Sequence, residues 1–175
     1  MNDVEVVAAQ IGRVPRSPVD VVARCHLGLA VVTAVPPHLD DGTPFPTRYW
    51  LTCPLAVIRV SRLESVGGVK QAEGRLDRDP AFAAAHQVAM ERYRTERDQL
   101  IPDDSPYPAP SGGVAGARRG VKCLHAHYAD HAAGNANPVG AMVAGDVEPL
   151  DCRVACCREE AGAVARNRDW REPRR

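Results

Sequence analysis

The residues with the clearest capacity for chemistry lie in the segment Cys123-Leu124-His125-Ala126-His127. In a helix, residues four apart share a face, so Cys123 and His127 would point toward one position, and His131 would continue that face. A converging thiolate and imidazole are half of a tetrahedral zinc site. His125 lies on the opposite face of an ideal helix. It competes as a ligand only if the chain near Cys123 is not helical. Otherwise we expect the side chains of His125 and His131 to lie next to the metal ligands without binding the metal.

Two further cysteines lie next to predicted turns or helix ends. Cys25 falls near the connection between two predicted strands, and Cys53 directly precedes Pro54, which favours the first position of a helix. These cysteines complete a Cys3His zinc site. We therefore predict four metal ligands: Cys25, Cys53, Cys123 and His127.

The same cysteines fit a second chemistry. A cysteine at a helix N-terminus has a lowered pKa and becomes a nucleophile beside a histidine, and both Cys53 and Cys123 qualify. Covalent catalysis needs one reactive thiol, whereas the chain places three in similar settings, which favours shared ligation. Cys152, Cys156 and Cys157 raise the number of thiols toward an iron–sulfur cluster, but their spacing matches no ferredoxin pattern. We predict zinc, with an iron–sulfur cluster as the alternative and no defined role for these last three cysteines.

A second group of polar residues follows the longest predicted helix. His86, Tyr93 and Arg97 occur at i, i+7 and i+11, so they form one edge of that helix. Together with Arg48 they are candidates to line a pocket, and the alternative is an aromatic core residue flanked by solvated groups. Such a pocket would serve a thiol- or metal-dependent hydrolase acting on a small phosphorylated or acyl substrate. The sequence contains no Walker loop, dinucleotide-binding GxGxxG or HExxH motif.

Hydrophobic periodicity and turn residues predict the elements that position these side chains. The predicted order is a helix over 4–11, two strands within 19–35, a strand over 48–52, a helix from Pro54 to about 66, a long helix over about 79–100, an exposed loop over 102–119, and helices within 120–131 and from Pro138. Residues 1–150 would then form one mostly helical α+β domain with a small sheet or hairpin. The sheet would bring Cys25 and Cys53 to the N-terminal end of the helix that carries Cys123 and His127. We expect residues 151–175 to be an arginine-rich, partly disordered tail.

Composition excludes several classes of partner. The chain has 175 residues, with 22 basic and 22 acidic side chains and no formal net charge, so it lacks the positive field of a non-specific nucleic-acid binder. The longest apolar run, 27–35, is far shorter than the roughly 20 residues that cross a bilayer. The first residues are acidic where a secretory signal would be basic. We expect a cytoplasmic protein with no membrane insertion and no nucleic-acid partner.

Four stretches resemble the signatures of the bacterial "domain of unknown function 501" family: residues 41–54, 61–64, 121–127 and 137–140. The resemblance extends over about residues 10–145. It carries over five motif residues: Cys25, Cys53, Cys123, His125 and His127. This chain departs from the family at Leu29-Ala30, where members usually have a proline after the glycine of the Cys25 motif.

The resemblance implies a cytoplasmic, actinobacterial-type protein that is encoded near a septum-formation coiled-coil protein and an exopolyphosphatase-like phosphatase. It assigns no reaction. Three hypotheses therefore remain open: a metal-binding protein, a hydrolase, and a noncatalytic partner of cell-division proteins such as the septum-formation protein.

Overall fold

The computed structural model describes residues 1–174 of the chain. The helices are α1 (Asp3–Ile11), α2 (Pro54–Ser65), α3 (Gly68–Arg78), α4 (Pro80–Asp98), α5 (Leu124–Ala132) and α6 (Pro138–Val147). The strands are β1 (Asp20–Arg24), β2 (Ala30–Ala34), β3 (Tyr49–Leu51), β4 (Cys157–Glu160) and β5 (Ala163–Arg166). This is the mostly helical α+β architecture that the sequence predicts. No helix within residues 1–174 is long and apolar enough to cross a membrane.

The first three strands form an antiparallel sheet in the order β1-β2-β3. The central strand β2 is buried along its whole length, because strands flank it on both edges and helices α1 and α5 pack against it. A tight turn joins β1 to β2, with the Cys25 N–H donating to Leu29 O at 3.0 Å and Gly28 at a φ of 76°. As predicted, Cys25 lies at the connection of two strands.

Capping residues fix where the helices begin. Pro54 is the first residue of α2, which places Cys53 at the N-cap. The side chains of Asp79 and Asn137 each accept a backbone N–H from the first turn, at 3.0 Å and 2.9 Å respectively, so they start α4 and α6. These boundaries agree with the sequence predictions.

Helix α3 is an element that the sequence analysis does not predict. Gly67 ends α2 in the left-handed conformation, at a φ of 90°, but Gly68 immediately opens a new helix. Only Gly68 and Ala72 are buried along α3. The helix is nevertheless amphipathic, since Val69, Ala72 and Leu76 lie at i, i+3 and i+7 and pack in or against the core. Its apolar stripe is present in the sequence, but Gly67-Gly68 predicts the end of the helical region.

The main core lies between the sheet and helices α2, α5 and α6. Its largest fully buried members include Val32, Leu55, Val60, Leu124, Tyr128 and Val139. The predicted loop over 102–119 is irregular apart from a short 3-10 turn at Val114–Gly116. Its second half is fixed to the body, since Arg97 donates to Pro110 O and Gly112 O at 2.8 Å each.

Residues 151–174, for which the sequence predicts an arginine-rich, partly disordered tail, contain two strands in the structure. Strands β4 and β5 form a hairpin through Ala161 and Gly162, both at positive φ, and this hairpin packs against α1. Cys156 and Cys157 join Val6 in a second hydrophobic cluster. Ala155, Val164 and Trp170 pack against this cluster, whereas Val154 is exposed.

Candidate metal centre

Glu64, Cys123 and His125 form a group whose ligand atoms all lie within 4.8 Å of one another. Glu64 lies in the last turn of α2, Cys123 is the N-cap of α5, and His125 lies in the first turn of α5. His125 Nδ1 is 3.9 Å from Cys123 Sγ and 3.3 Å from Glu64 Oε2. One thiol, one imidazole and one carboxylate thus converge, and such a group can bind a metal ion.

The backbone and neighbouring groups hold these ligands in place. Glu64 Oε1 accepts the Leu124 N–H at 2.6 Å, which ties α2 to the start of α5. His125 Nε2 lies 3.3 Å from Val57 O and 3.1 Å from Ser61 Oγ. A carbonyl oxygen can only accept, so Nε2 carries the proton and the lone pair of a neutral ring lies on Nδ1. Metal-binding histidines show this arrangement, with one nitrogen on the metal and the other donating to a carbonyl.

Cys123 and Glu64, which His125 Nδ1 faces, together favour a positive charge between these three side chains. Burial lowers the pKa of His125, but hydrogen bonding with Cys123 and the negative charge of Glu64 outweigh it and leave the pKa above its usual value. The same nitrogen faces both partners, whereas a catalytic triad needs the nucleophile and the acid on opposite nitrogens of the ring. The geometry therefore fits a cation shared by three ligands better than a proton relay.

His127 lies in other surroundings. Its side chain is fully buried, with Nδ1 3.1 Å from Asn137 Oδ1 and its ring centroid 5.4 Å from that of His86. Burial lowers the pKa of His127 to about 4, so the ring is neutral. His127 does not meet Cys123 because Cys123 has extended backbone angles, φ −155° and ψ 118°, and the i, i+4 relation holds only within a helix. His125 takes its place, as the sequence analysis allows for a non-helical Cys123.

Cys25 and Cys53 line one cavity to which Cys123 does not contribute. Cys152 and Cys156 line this small cavity as well. Among the residues that the structure describes, no group of three His, Cys, Asp or Glu ligands within 4.8 Å includes Cys25, Cys53 or His127. The predicted Cys3His set is thus not brought together. His131, at the last turn of α5, lies outside the group as well.

The four predicted pocket residues are mostly structural. Tyr93 is fully buried and its hydroxyl oxygen accepts the Arg48 N–H at 2.6 Å, and the Arg48 guanidinium donates to Val35 O at 3.1 Å. Arg97 is also fully buried, and its guanidinium donates to the loop carbonyls of Pro110 and Gly112. His86 lines a cavity, with Arg118 and Arg119 among its neighbours. The other three residues hold the sheet and the loop against α4.

Glu64 is the ligand that the sequence analysis misses. It lies 59 positions before Cys123, and no spacing rule connects an acid near a helix end with a cysteine that far along the chain. Its place in the stretch 61–64, one of those that carry the family resemblance, is a signal from which it could have been found.

Comparisons with known proteins agree with that resemblance. A family model described as "Protein of unknown function (DUF501)" matches residues 21–145, which include Glu64, Cys123 and His125. No curated protein and no solved structure matches the chain.

Proposed function

We propose that this chain, which belongs to the DUF501 family, is a metal-binding protein that holds one zinc ion through Glu64, Cys123 and His125. The observation that carries the proposal is the convergence of three ligand atoms within 4.8 Å. Because the donors are sulfur, nitrogen and oxygen, the set suits a borderline-soft ion such as zinc better than magnesium or calcium, which prefer oxygen.

The site offers three protein ligands, one fewer than a closed tetrahedral site. The side chains of His125 and Glu64 are 24% and 29% exposed, so water can reach the fourth position. Zinc sites with three protein ligands keep that position for water or a substrate atom. This openness supports the hydrolase hypothesis as a second candidate function, with the bound water as the nucleophile.

Metal analysis of protein purified without chelator tests the proposal. We expect about one zinc per chain at this site, lost in each of Glu64→Gln, Cys123→Ser and His125→Ala because a three-ligand site does not survive the loss of one ligand. His131→Ala is the matched control, since it removes an imidazole from the same helix outside the group. Zinc content unchanged in Glu64→Gln and Cys123→Ser would show that the group is not the site.

A further inference from the structure

Four of the six cysteines line one cavity, although they come from three separate parts of the chain. Cys25 lies in the β1–β2 turn, Cys53 at the N-cap of α2, and Cys152 and Cys156 in the segment between α6 and β4. The cavity is small, about 10 Å3, so a group larger than one water molecule fits only if the lining side chains move apart. Four independent thiols at one small cavity are more than core packing requires.

The remaining lining contains no acid, no histidine and no charged group. It consists of Gln10, Leu27, Leu29, Ala30, Pro54, Leu55 and Leu150. A site whose candidate ligands are all thiols, in apolar surroundings, selects a soft metal centre such as zinc or iron–sulfur.

Nitrogen donors point at two of the four sulfurs. Trp170 Nε1 donates to Cys152 Sγ at 3.3 Å, and Gln10 Nε2 donates to Cys156 Sγ at 3.6 Å. A neutral thiol is a weak acceptor, so donors arranged in this way suit thiolates, and N–H···S bonds of this kind surround the ligands of iron–sulfur clusters.

The lining of the cavity holds no charged side chain that could balance the negative charge of four thiolates. A bound metal deprotonates a coordinating thiol outright and supplies the positive charge that the apolar lining lacks.

The spacing of the sulfurs distinguishes a cluster from a single ion. Zinc–sulfur bonds of about 2.3 Å hold the four sulfurs of a tetrahedral site about 3.8 Å apart. In the described part of the chain, no three of these four sulfurs lie within 4.8 Å of one another. A cluster spreads its four thiolates over several irons and so accepts wider spacing. We propose that Cys25, Cys53, Cys152 and Cys156 bind an iron–sulfur cluster of the four-iron type, one thiolate to each iron.

The proposal is independent of the zinc site on α5. The family match includes Cys25 and Cys53 but ends before Cys152 and Cys156. Cys157 and Cys123 do not line the cavity. Cys157 is fully buried beside it, with its Sγ 3.9 Å from Val6 O.

Full-length protein, purified without oxygen and then incubated with ferrous iron and sulfide, tests the proposal. We expect about four irons and four acid-labile sulfides per chain, with a visible charge-transfer band that bleaches on reduction. Cys152→Ser and Cys156→Ser should each lose most of the sulfide. Cys157→Ser, a neighbouring cysteine outside the lining, should keep it, and Cys123→Ser should keep the iron while losing zinc.

Two measurements keep the test decisive if a cysteine variant does not fold. The iron and sulfide content of the unmodified chain needs no variant, and iron without sulfide, zinc in place of iron, or no metal at all would each overturn the cluster. Trp170→Phe removes the N–H that points at Cys152 while keeping an aromatic ring. It should leave the iron content unchanged and make the reduction potential more negative, whereas an unchanged potential would show that Cys152 is not a ligand.

Discussion

The two cysteine-bearing regions differ in donor chemistry, in access to solvent and in the number of chain segments that build them. The group of Glu64, Cys123 and His125 mixes oxygen, sulfur and nitrogen donors at the ends of two helices and is partly exposed. The four-cysteine cavity offers sulfur alone, and its Cys53 is only 5% exposed. A mixed, open group suits an exchangeable ion, whereas an all-sulfur cavity suits a permanent centre.

The largest expected difference between the two regions is their response to a chelator. Excess EDTA at neutral pH should remove all of the proposed zinc, because water reaches His125 and Glu64, and should leave the iron of the four-cysteine cavity in place. Metal analysis of the desalted protein measures both elements. Simultaneous loss of zinc and iron would show that the two regions do not differ in access.

The buried side chain of Arg59 offers a second way to distinguish the two cysteine-bearing regions. Arg59 is 5% exposed and donates to Val147 O at 2.7 Å, to Pro149 O at 2.6 Å and to Asp151 Oδ1 at 2.9 Å, so it fixes the segment that leads to Cys152. Arg59→Met should lower the unfolding free energy by about 2 to 4 kcal/mol, since buried carbonyls lose their donors, and should also lower the iron content. Urea unfolding and iron analysis check the two effects.

Arg62 provides the matched control for Arg59 on the same helix. Its side chain is 65% exposed and pairs with Glu172 at the surface. Arg62→Met should cost less than about 1 kcal/mol and leave the iron unchanged. Equal losses in the two variants would contradict the anchoring role given to Arg59.

Acid should destabilise the folded chain through His127, the buried histidine of α5. Burial lowers the pKa of His127 from 6.5 to about 4, so the unfolded chain binds a proton in this range that the folded chain does not. Stability should therefore fall as the pH drops from 6.5 to 4, by at most about 3 kcal/mol. His86, whose pKa burial also lowers, adds to the fall. Burial raises the pKa of Asp130, which opposes the fall at the acidic end.

Urea unfolding at several pH values measures this effect. His127→Gln should flatten the pH dependence, because the variant has no imidazole to protonate. A slope that is the same in His127→Gln and the unmodified chain would show that His127 does not titrate as described.

The smallest effect should come from a residue that belongs to neither region. Asp79 caps α4 through the Phe82 N–H at 3.0 Å. Asp79→Ala should cost about 1 kcal/mol and leave both metal contents unchanged. Thermal unfolding and metal analysis check this, and a loss of either metal would mean that the two regions depend on α4 more than their contacts indicate.

The sequence predicts those features whose signal is local. Pro54, Asp79 and Asn137 each mark a helix start within a few residues, and the structure confirms these starts. The turn at Cys25 is likewise a matter of neighbouring residues. Such features depend on backbone preferences that act over one turn.

The candidate sites depend on contacts between distant segments, which no local rule supplies. Cys123 was expected to act as a helical residue, but it is an extended N-cap, and this single difference replaces His127 with His125 as its neighbour. The cysteines at 152 and 156 match no motif by spacing, because their partners at the cavity lie about 100 positions or more earlier. Only the folded chain brings them to Cys25 and Cys53.

The ribosome makes Cys25 and Cys53 well before Cys152 and Cys156, so the four cysteines of the cavity become available in a fixed order. About 100 residues separate Cys53 from Cys152, and at a synthesis rate of about 5 to 20 residues per second the ribosome needs about 5 to 20 s to make them. Throughout that interval the nascent chain presents Cys25 and Cys53 without their partners. The cavity therefore closes only after translation has passed Cys156, and whatever fills it must be delivered after that point.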